Sequence, residues 1–266
     1  MTEPFSQLTF PEMYERELVG PLFRPFAENI VESVRLSSGD RVLDVACGTG
    51  IVGRLAKERV GAGGKVVGVD VNPQMLAVAR SVEPSIEFRE GTADDLPLAE
   101  GEEFDAVLCQ QGLQFFAEKL AAVREMHRAL RSGGNLAIST WRPDDEIPLG
   151  SELRRIAEEH LGPITDRRHS YGDQGPIESL LRDAGFENVQ SKTISRVVRF
   201  PDAGVFVRMN AMALAGMSDR GKEMSDEDRV EAVNGIARDS QPAAAAYTVD
   251  GELAFEISSN VVTAST

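Results

Sequence analysis

The sequence predicts an α/β fold in which a doubly wound, mainly parallel sheet carries helices on both faces. Three observations predict it. Short β-branched runs alternate with helical segments through the first half of the chain. The strands read as short and buried, which suits a sheet covered on both sides. A glycine turn follows the first strand and opens a helix, as in nucleotide-binding βαβ units.

Taken in order, Arg41–Ala46 (RVLDVA) is a strand, followed by the turn and a helix through about Arg59. Lys65–Asp70 (KVVGVD) is the second strand, and Pro73 stands at a favoured first-turn position of the next helix. Ile86–Glu90 is a third, shorter strand, and Phe104–Cys109 (FDAVLC) a fourth. Leu120, Val123, Met126, Ala129 and Leu130 recur at helical spacing, so Ala117–Arg131 reads as a helix stopped by Ser132-Gly133-Gly134. Asn135–Thr140 (NLAIST) is a fifth strand.

The second half changes character. Residues 141–175 are polar, carry three prolines and hold one helix candidate at Ser151–Leu161. Pro176–Ala184 is a short amphipathic helix ending at Gly185, and Val189–Phe200 alternates as a long strand. Residues 203–246 read as helical. Leu253–Ser258 is one more strand, after a turn at Asp250-Gly251. No boundary is drawn; residues 1–266 are expected to form one domain with a helical insertion between the last two strands.

Composition excludes more than it names. The chain has 266 residues, 42% hydrophobic and 27% charged, enough for a real core without disulfide or metal staples. A net charge of −15 argues against nucleic-acid backbones and anionic lipid as partners. Cys47 and Cys109 cannot make a disulfide framework or a zinc site, and no metal is expected. No apolar run reaches spanning length, and MTEPFSQLTF lacks the layout of a signal peptide. The expectation is a reduced, cytoplasmic protein with no membrane partner; the oligomeric state is left open.

VLDVACGTGIVGRLA carries the strongest signal. Gly48, Gly50 and Gly53 spell GxGxxG, and Asp70 ends the next strand, where an acid binds ribose hydroxyls. By spacing alone this is a candidate site for a nicotinamide or flavin dinucleotide. Asp44 argues against that reading, because a carboxylate four residues before Gly48 would repel a pyrophosphate. The same carboxylate suits S-adenosylmethionine, which carries an ammonium, a sulfonium and no phosphate.

At this point the chain resembles the class I (Rossmann-like) S-adenosylmethionine-dependent methyltransferases. The resemblance runs from about Pro11 to Ala264 and rests on six segments in order: VLDVACGTG, VVGVDVNPQML, EGTADDLPL, FDAVLCQQGLQFF, MHRALRSGGNLAIST and LLRDAGFENV. Within that family it is to bacterial small-molecule methyltransferases, the broad group that includes the ubiquinone/menaquinone-biosynthesis C-methyltransferases. The resemblance implies a seven-stranded sheet whose last strand is antiparallel and pairs with the sixth. It implies that segments 141–175 and 203–246 form a lid over the pocket.

It also implies roles for single residues. Gly48 and Gly50 let the backbone approach the methionyl part of the cofactor, with Ala46 where many members have glycine. Asp44 faces the methionyl ammonium, or else simply accepts a hydrogen bond from the turn. Asp70 takes the ribose. Val71 and Met75 pack on adenine or are ordinary core. Thr92 stands where many relatives have an acid, so the adenine amino group goes to Thr92 or Asp94, with the Ala93 N–H on the ring. Gln110 lies beside the methionyl group and the reacting methyl. Tyr14 folds over the cofactor toward its carboxylate, or packs on the surface.

Many relatives carry a histidine near the position of Gln114, so the obvious general base is missing and Gln114 is left as an acceptor contact. His169, in DRRHSYGD, is the remaining histidine base candidate; His127 and His160 read as structural. Arg167 and Arg168 attract an anionic substrate or are a solvated run. The insertion around Val205–Met217, including Met212, has few charges and suits a lipophilic or aromatic acceptor; the alternative is a helix packed on its neighbours. The expected function is methyl transfer to an O-, N- or C-nucleophile of a small molecule. An NAD(P)-dependent oxidoreductase and a non-catalytic S-adenosylmethionine-binding module are the alternatives.

Overall fold

A computed structural model of the chain describes residues 8–266. The first seven residues of the segment used for the signal-peptide expectation lie outside them. The described chain divides into two compact units. The first comprises residues up to Trp141 with Tyr171–Ile194 and Ser259–Thr266; the second comprises Arg142–Ser170 and Ser195–Ser258.

The first unit opens with a helical turn, α1 (Phe10–Met13), a π-helical run over Tyr14–Phe23, and α2 (Arg24–Ser33). Then β1 (Arg41–Val45), α3 (Ile51–Val60), β2 (Lys65–Asp70), α4 (Pro73–Val82) and β3 (Glu87–Glu90) alternate. β4 (Phe104–Gln110), α5 (Lys119–Ala129) and β5 (Leu130–Trp141) follow. The second unit holds α6 (Pro148–Leu161). The chain then returns through α7 (Gln174–Asp183) and β6 (Glu187–Phe200). The last elements are α8 (Ala203–Met217), α9 (Asp219–Glu223), α10 (Asp226–Asp239), α11 (Gln241–Ala245), β7 (Thr248–Val249) and β8 (Glu252–Ser265).

Helix starts follow capping chemistry. Asn72 Oδ1 accepts from the N–H groups of Gln74 and Met75 ahead of Pro73, and Asp202 does the same for Gly204 and Val205. Ser225 caps α10, whose first turn is Asp226, Glu227 and Asp228, matching the positive end of the helix dipole.

The sheet order is β3-β2-β1-β4-β5-β8-β6, with β7 paired to β8. β1 to β5 are parallel, and β8 is antiparallel to β5 with Asn135 opposite Ser265 and Trp141 opposite Ser259. The period of two sorts the strands onto two cores. Leu43, Val45, Val107 and Ile138 face α5 and α7 residues such as Met126 and Leu181. Val42, Leu108 and Ala137 face α2 and α3, with Ile30 and Leu55. The second unit has its own core of Ala157, Leu161, Ala211, Leu214 and Ile236.

Three expectations need correction. The sheet has eight strands, because Asp250-Gly251, both at positive φ, turn a two-residue β7 onto β8. The last strand runs to Ser265, because its far half pairs with β5 as well as following the hairpin. The helix before the fifth strand ends at Ala129. Leu130 is already extended and pairs with Phe104, so Ser132-Gly133-Gly134 lie in an irregular strand start instead of stopping a helix.

Candidate active site

In an open parallel sheet the carboxyl ends of the strands face the ligand crevice. Here β1, β2 and β4 end at Val45, Asp70 and Gln110, and chemistry-bearing side chains gather just there. A cavity of about 290 Å³ is lined by Ala46, Asp70, Val71, Thr92, Ala93 and Asp94 among others, with Phe115, Phe116 and Ala117 closing one side. Val71 is 64% exposed and Phe115 41%, two large apolar groups at its rim. Thr92 and Asp94 are both exposed on the lining, while Ala93 is buried. Met75 is half-buried on α4 and does not line this cavity.

The turn after β1 is built from left-handed backbone. Ala46, Gly48 and Gly50 have φ of +58°, +55° and +88°. At Gly48 a Cβ would meet nothing within 4 Å, so a second molecule can approach the backbone there. At Gly50 a Cβ would stand 3.0 Å from the Phe88 ring, so that glycine serves packing. Gly48 donates its N–H to Asp70 Oδ2 at 2.8 Å, and Asn72 donates to Oδ1 at 2.8 Å. The Val71 N–H also bears on this carboxylate, and a carboxylate accepts about four hydrogen bonds, so Asp70 keeps capacity for a further hydroxyl. Burial raises its pKa against the pull of those N–H groups.

Asp44 is 1% exposed. Its Oδ2 accepts from Gly53 N–H at 2.9 Å, while Oδ1 is buried with no partner. One oxygen thus holds the turn, and the other is open to a donor. Burial, offset by the Gly53 N–H and reinforced by Asp70, pushes the carboxyl up to about 8. Tyr14 sits in the π-helical run against the Phe23 ring, 4.9 Å away, and its hydroxyl pKa is raised by burial and by the charges of Asp70 and Glu15. Gln110 Nε2 donates to Phe23 O at 3.1 Å, tying β4 to the N-terminal segment, and its Oε1 is buried without a partner.

Gln114 is buried on the turn after β4; its Nε2 donates to Gln111 Oε1 at 3.3 Å. The remaining candidates lie in the second unit. His169 Nδ1 is 2.7 Å from Arg142 O, and burial lowers its pKa. Arg168 is held by Asp166 and Asn210, and is thereby no free anion attractor. Met212 is half-buried against that unit's core. His127 lies edge-on to Phe186, and His160 meets Asp239 at 2.8 Å, the structural roles expected of both. Cys47 and Cys109 are free and buried, with the Cys109 thiol pushed up to about 12 by burial.

These residues fit S-adenosylmethionine. The open αL turn, the partnerless Asp44 and Gln110 oxygens, the remaining acceptor capacity of Asp70 and the apolar rim suit an ammonium, a ribose and an adenine.

Comparison with known proteins agrees. The model of the family described as a methyltransferase domain matches residues 43–138. The ubiquinone/menaquinone biosynthesis C-methyltransferase UbiE of Pseudomonas putida is 31% identical over 192 residues, 65% of this chain and 75% of the relative. This chain belongs to the class I S-adenosylmethionine-dependent methyltransferases. The chloroplastic 2-phytyl-1,4-beta-naphthoquinone methyltransferase of Arabidopsis thaliana is 43% identical over 179 residues, 59% of the chain and 68% of the relative. The crystal structure of YcgJ from Bacillus subtilis shares the fold, with a TM-score of 0.57, 17% identity, and coverage of 90% of this chain and 97% of that one. The methyltransferase uses S-adenosylmethionine as cofactor and a small molecule as methyl acceptor. Among its described residues no helix is long and apolar enough to cross a membrane.

Sequence reasoning missed Phe115, Phe116 and Ala117 as lining, although all three follow the strand whose end it had placed at the crevice. It missed the left-handed Gln111 (φ +55°), for which a non-glycine residue gives no signal.

Proposed function

We propose that this methyltransferase acts on a lipophilic aromatic acceptor. The observation that carries the reading is the pair of relatives named for quinone methylation. In this reading Asp44 and Gly48 take the methionyl part, Asp70 the ribose, and Thr92, Ala93 or Asp94 the adenine, with Tyr14 and Gln110 over the methionyl group. Gln114 contacts the acceptor. Two free buried cysteines suit a reducing compartment and support a cytoplasmic enzyme.

The bound cofactor supplies a methyl group already activated on a sulfonium. The chain's own work is orientation, water exclusion and, for a hydroxyl or acidic carbon, removal of a proton. Gln114 cannot take that proton. His169, whose burial keeps the imidazole neutral, is the candidate base, with its Nδ1 bound to Arg142 O.

The test is transfer of labelled methyl from S-adenosylmethionine to a panel of aromatic phenols, hydroquinones and hydrophilic amines. Label in the aromatic fraction is expected. Label confined to hydrophilic amines would overturn the proposal.

A further inference from the structure

A chain of side-chain hydrogen bonds leads inward from Gln114 and has a fixed direction. Ser259 Oγ donates its single proton to a carbonyl, Thr140 O at 2.9 Å or Asn260 O at 3.1 Å, because a carbonyl can only accept. Ser259 Oγ therefore accepts from Gln111 Nε2, 3.1 Å away. That fixes the Gln111 amide, whose Oε1 then accepts from Gln114 Nε2 at 3.3 Å. The free end of the chain is Gln114 Oε1, buried and without a partner on a residue 2% exposed. A buried acceptor left unpaired forfeits its hydration with nothing in return. Gln111 also holds a left-handed backbone, uncommon for a non-glycine residue, with its N–H bound to Ser139 O at 2.9 Å.

We propose that Gln114 is an acceptor-binding residue whose Oε1 receives a hydrogen bond from an O–H or N–H of the methyl acceptor, with Gln111 and Ser259 as positioning residues that fix its polarity. The enzyme then selects acceptors that carry a donor and disfavours the same ring with only acceptor groups. This rests on the cofactor and acceptor reading above. A glutamine whose amide could turn over would offer donor or acceptor alike; the Ser259 anchor removes that choice.

The experiment is calorimetric titration of the S-adenosylhomocysteine complex with 1-naphthol, which has an O–H donor, and with 1-methoxynaphthalene, which has none. The native chain is expected to prefer 1-naphthol roughly tenfold, the scale of one buried hydrogen bond. Gln114→Leu should bring 1-naphthol down to the affinity of the ether, leaving the ether and S-adenosylhomocysteine affinities in place. Ser259→Ala, a milder change, should shrink the preference in the same direction. A merely structural role would move both probes together. Equal binding of the two probes by the native chain, no binding of 1-naphthol, or an undiminished preference in both variants would overturn the proposal. Loss of S-adenosylhomocysteine binding by the native chain would instead overturn the cofactor reading, and the relay with it.

Discussion

Gly48 donates its backbone N–H to Asp70 Oδ2 at 2.8 Å, so the turn after β1 holds the carboxylate that ends β2. One side chain thus fixes the turn and, in the proposed binding mode, takes the ribose. Asp70→Ala should weaken S-adenosylhomocysteine binding about 100-fold, since hydrogen bonds to a charged group are worth about 1.5–3 kcal/mol. It should also lower the melting temperature, because the Gly48 and Asn72 N–H groups lose their acceptor. Calorimetry and thermal unfolding of the variant check both.

In the proposed binding mode, Asp44 couples cofactor binding to a proton. Its carboxyl is pushed up to about 8, above the unfolded value of about 3.9, so the folded state binds the extra proton between those limits. Its contribution to stability is full below about pH 4 and is lost as pH rises toward 8. An ammonium placed at Oδ1 favours the carboxylate, so binding at pH 7 should release close to one proton. Calorimetry in buffers of different ionisation enthalpy reads that number, and Asp44→Asn should bring it near zero.

Ala46 and Gly112 form a matched pair. A Cβ on Gly112 would stand 2.6 Å from the Ala46 Cβ and 2.9 Å from Cys109 Sγ. Gly112→Ala should cost about 1–3 kcal/mol by overpacking. Ala46→Gly should cost little or stabilise by up to about 1 kcal/mol, since it relieves a left-handed alanine. The double variant should recover part of the Gly112→Ala loss, measured as a coupling in denaturant unfolding.

Glu102 locks the opposite edge of the sheet. It accepts from Arg89 and Lys65, and these bonds, Arg89 first, hold its pKa down at about 2. Stability from this group is present above its unfolded pKa of about 4.3 and is lost as pH falls toward 2. Glu102→Gln should cost about 2 kcal/mol at pH 7 and flatten the acid limb of the stability profile.

The parallel half of the sheet was legible because local signals agree there with tertiary ones. RVLDVA and KVVGVD are buried on both faces, and Pro73 and Asn72 mark a helix start. The end of the fold was less legible. The run Glu252–Ser265 mixes Ser, Asn and Thr with apolar residues, because Ser259 and Asn260 are buried to make hydrogen bonds and not to face water. The glycine turn announced itself through Gly48 and Gly50, whereas Ala46 and Gln111 adopt the same φ with ordinary side chains. The direction of the Gln114 relay depends on Ser259, distant in sequence and adjacent only through the β5–β8 pairing.

The central claim, that the turn between Asp44 and Asp70 holds S-adenosylmethionine and not a dinucleotide, is tested most directly by calorimetric titration of the native chain with S-adenosylhomocysteine and, separately, with NAD. Saturable binding of one S-adenosylhomocysteine per chain, with no binding heat from NAD, is the predicted result. Binding of NAD without binding of S-adenosylhomocysteine would contradict it.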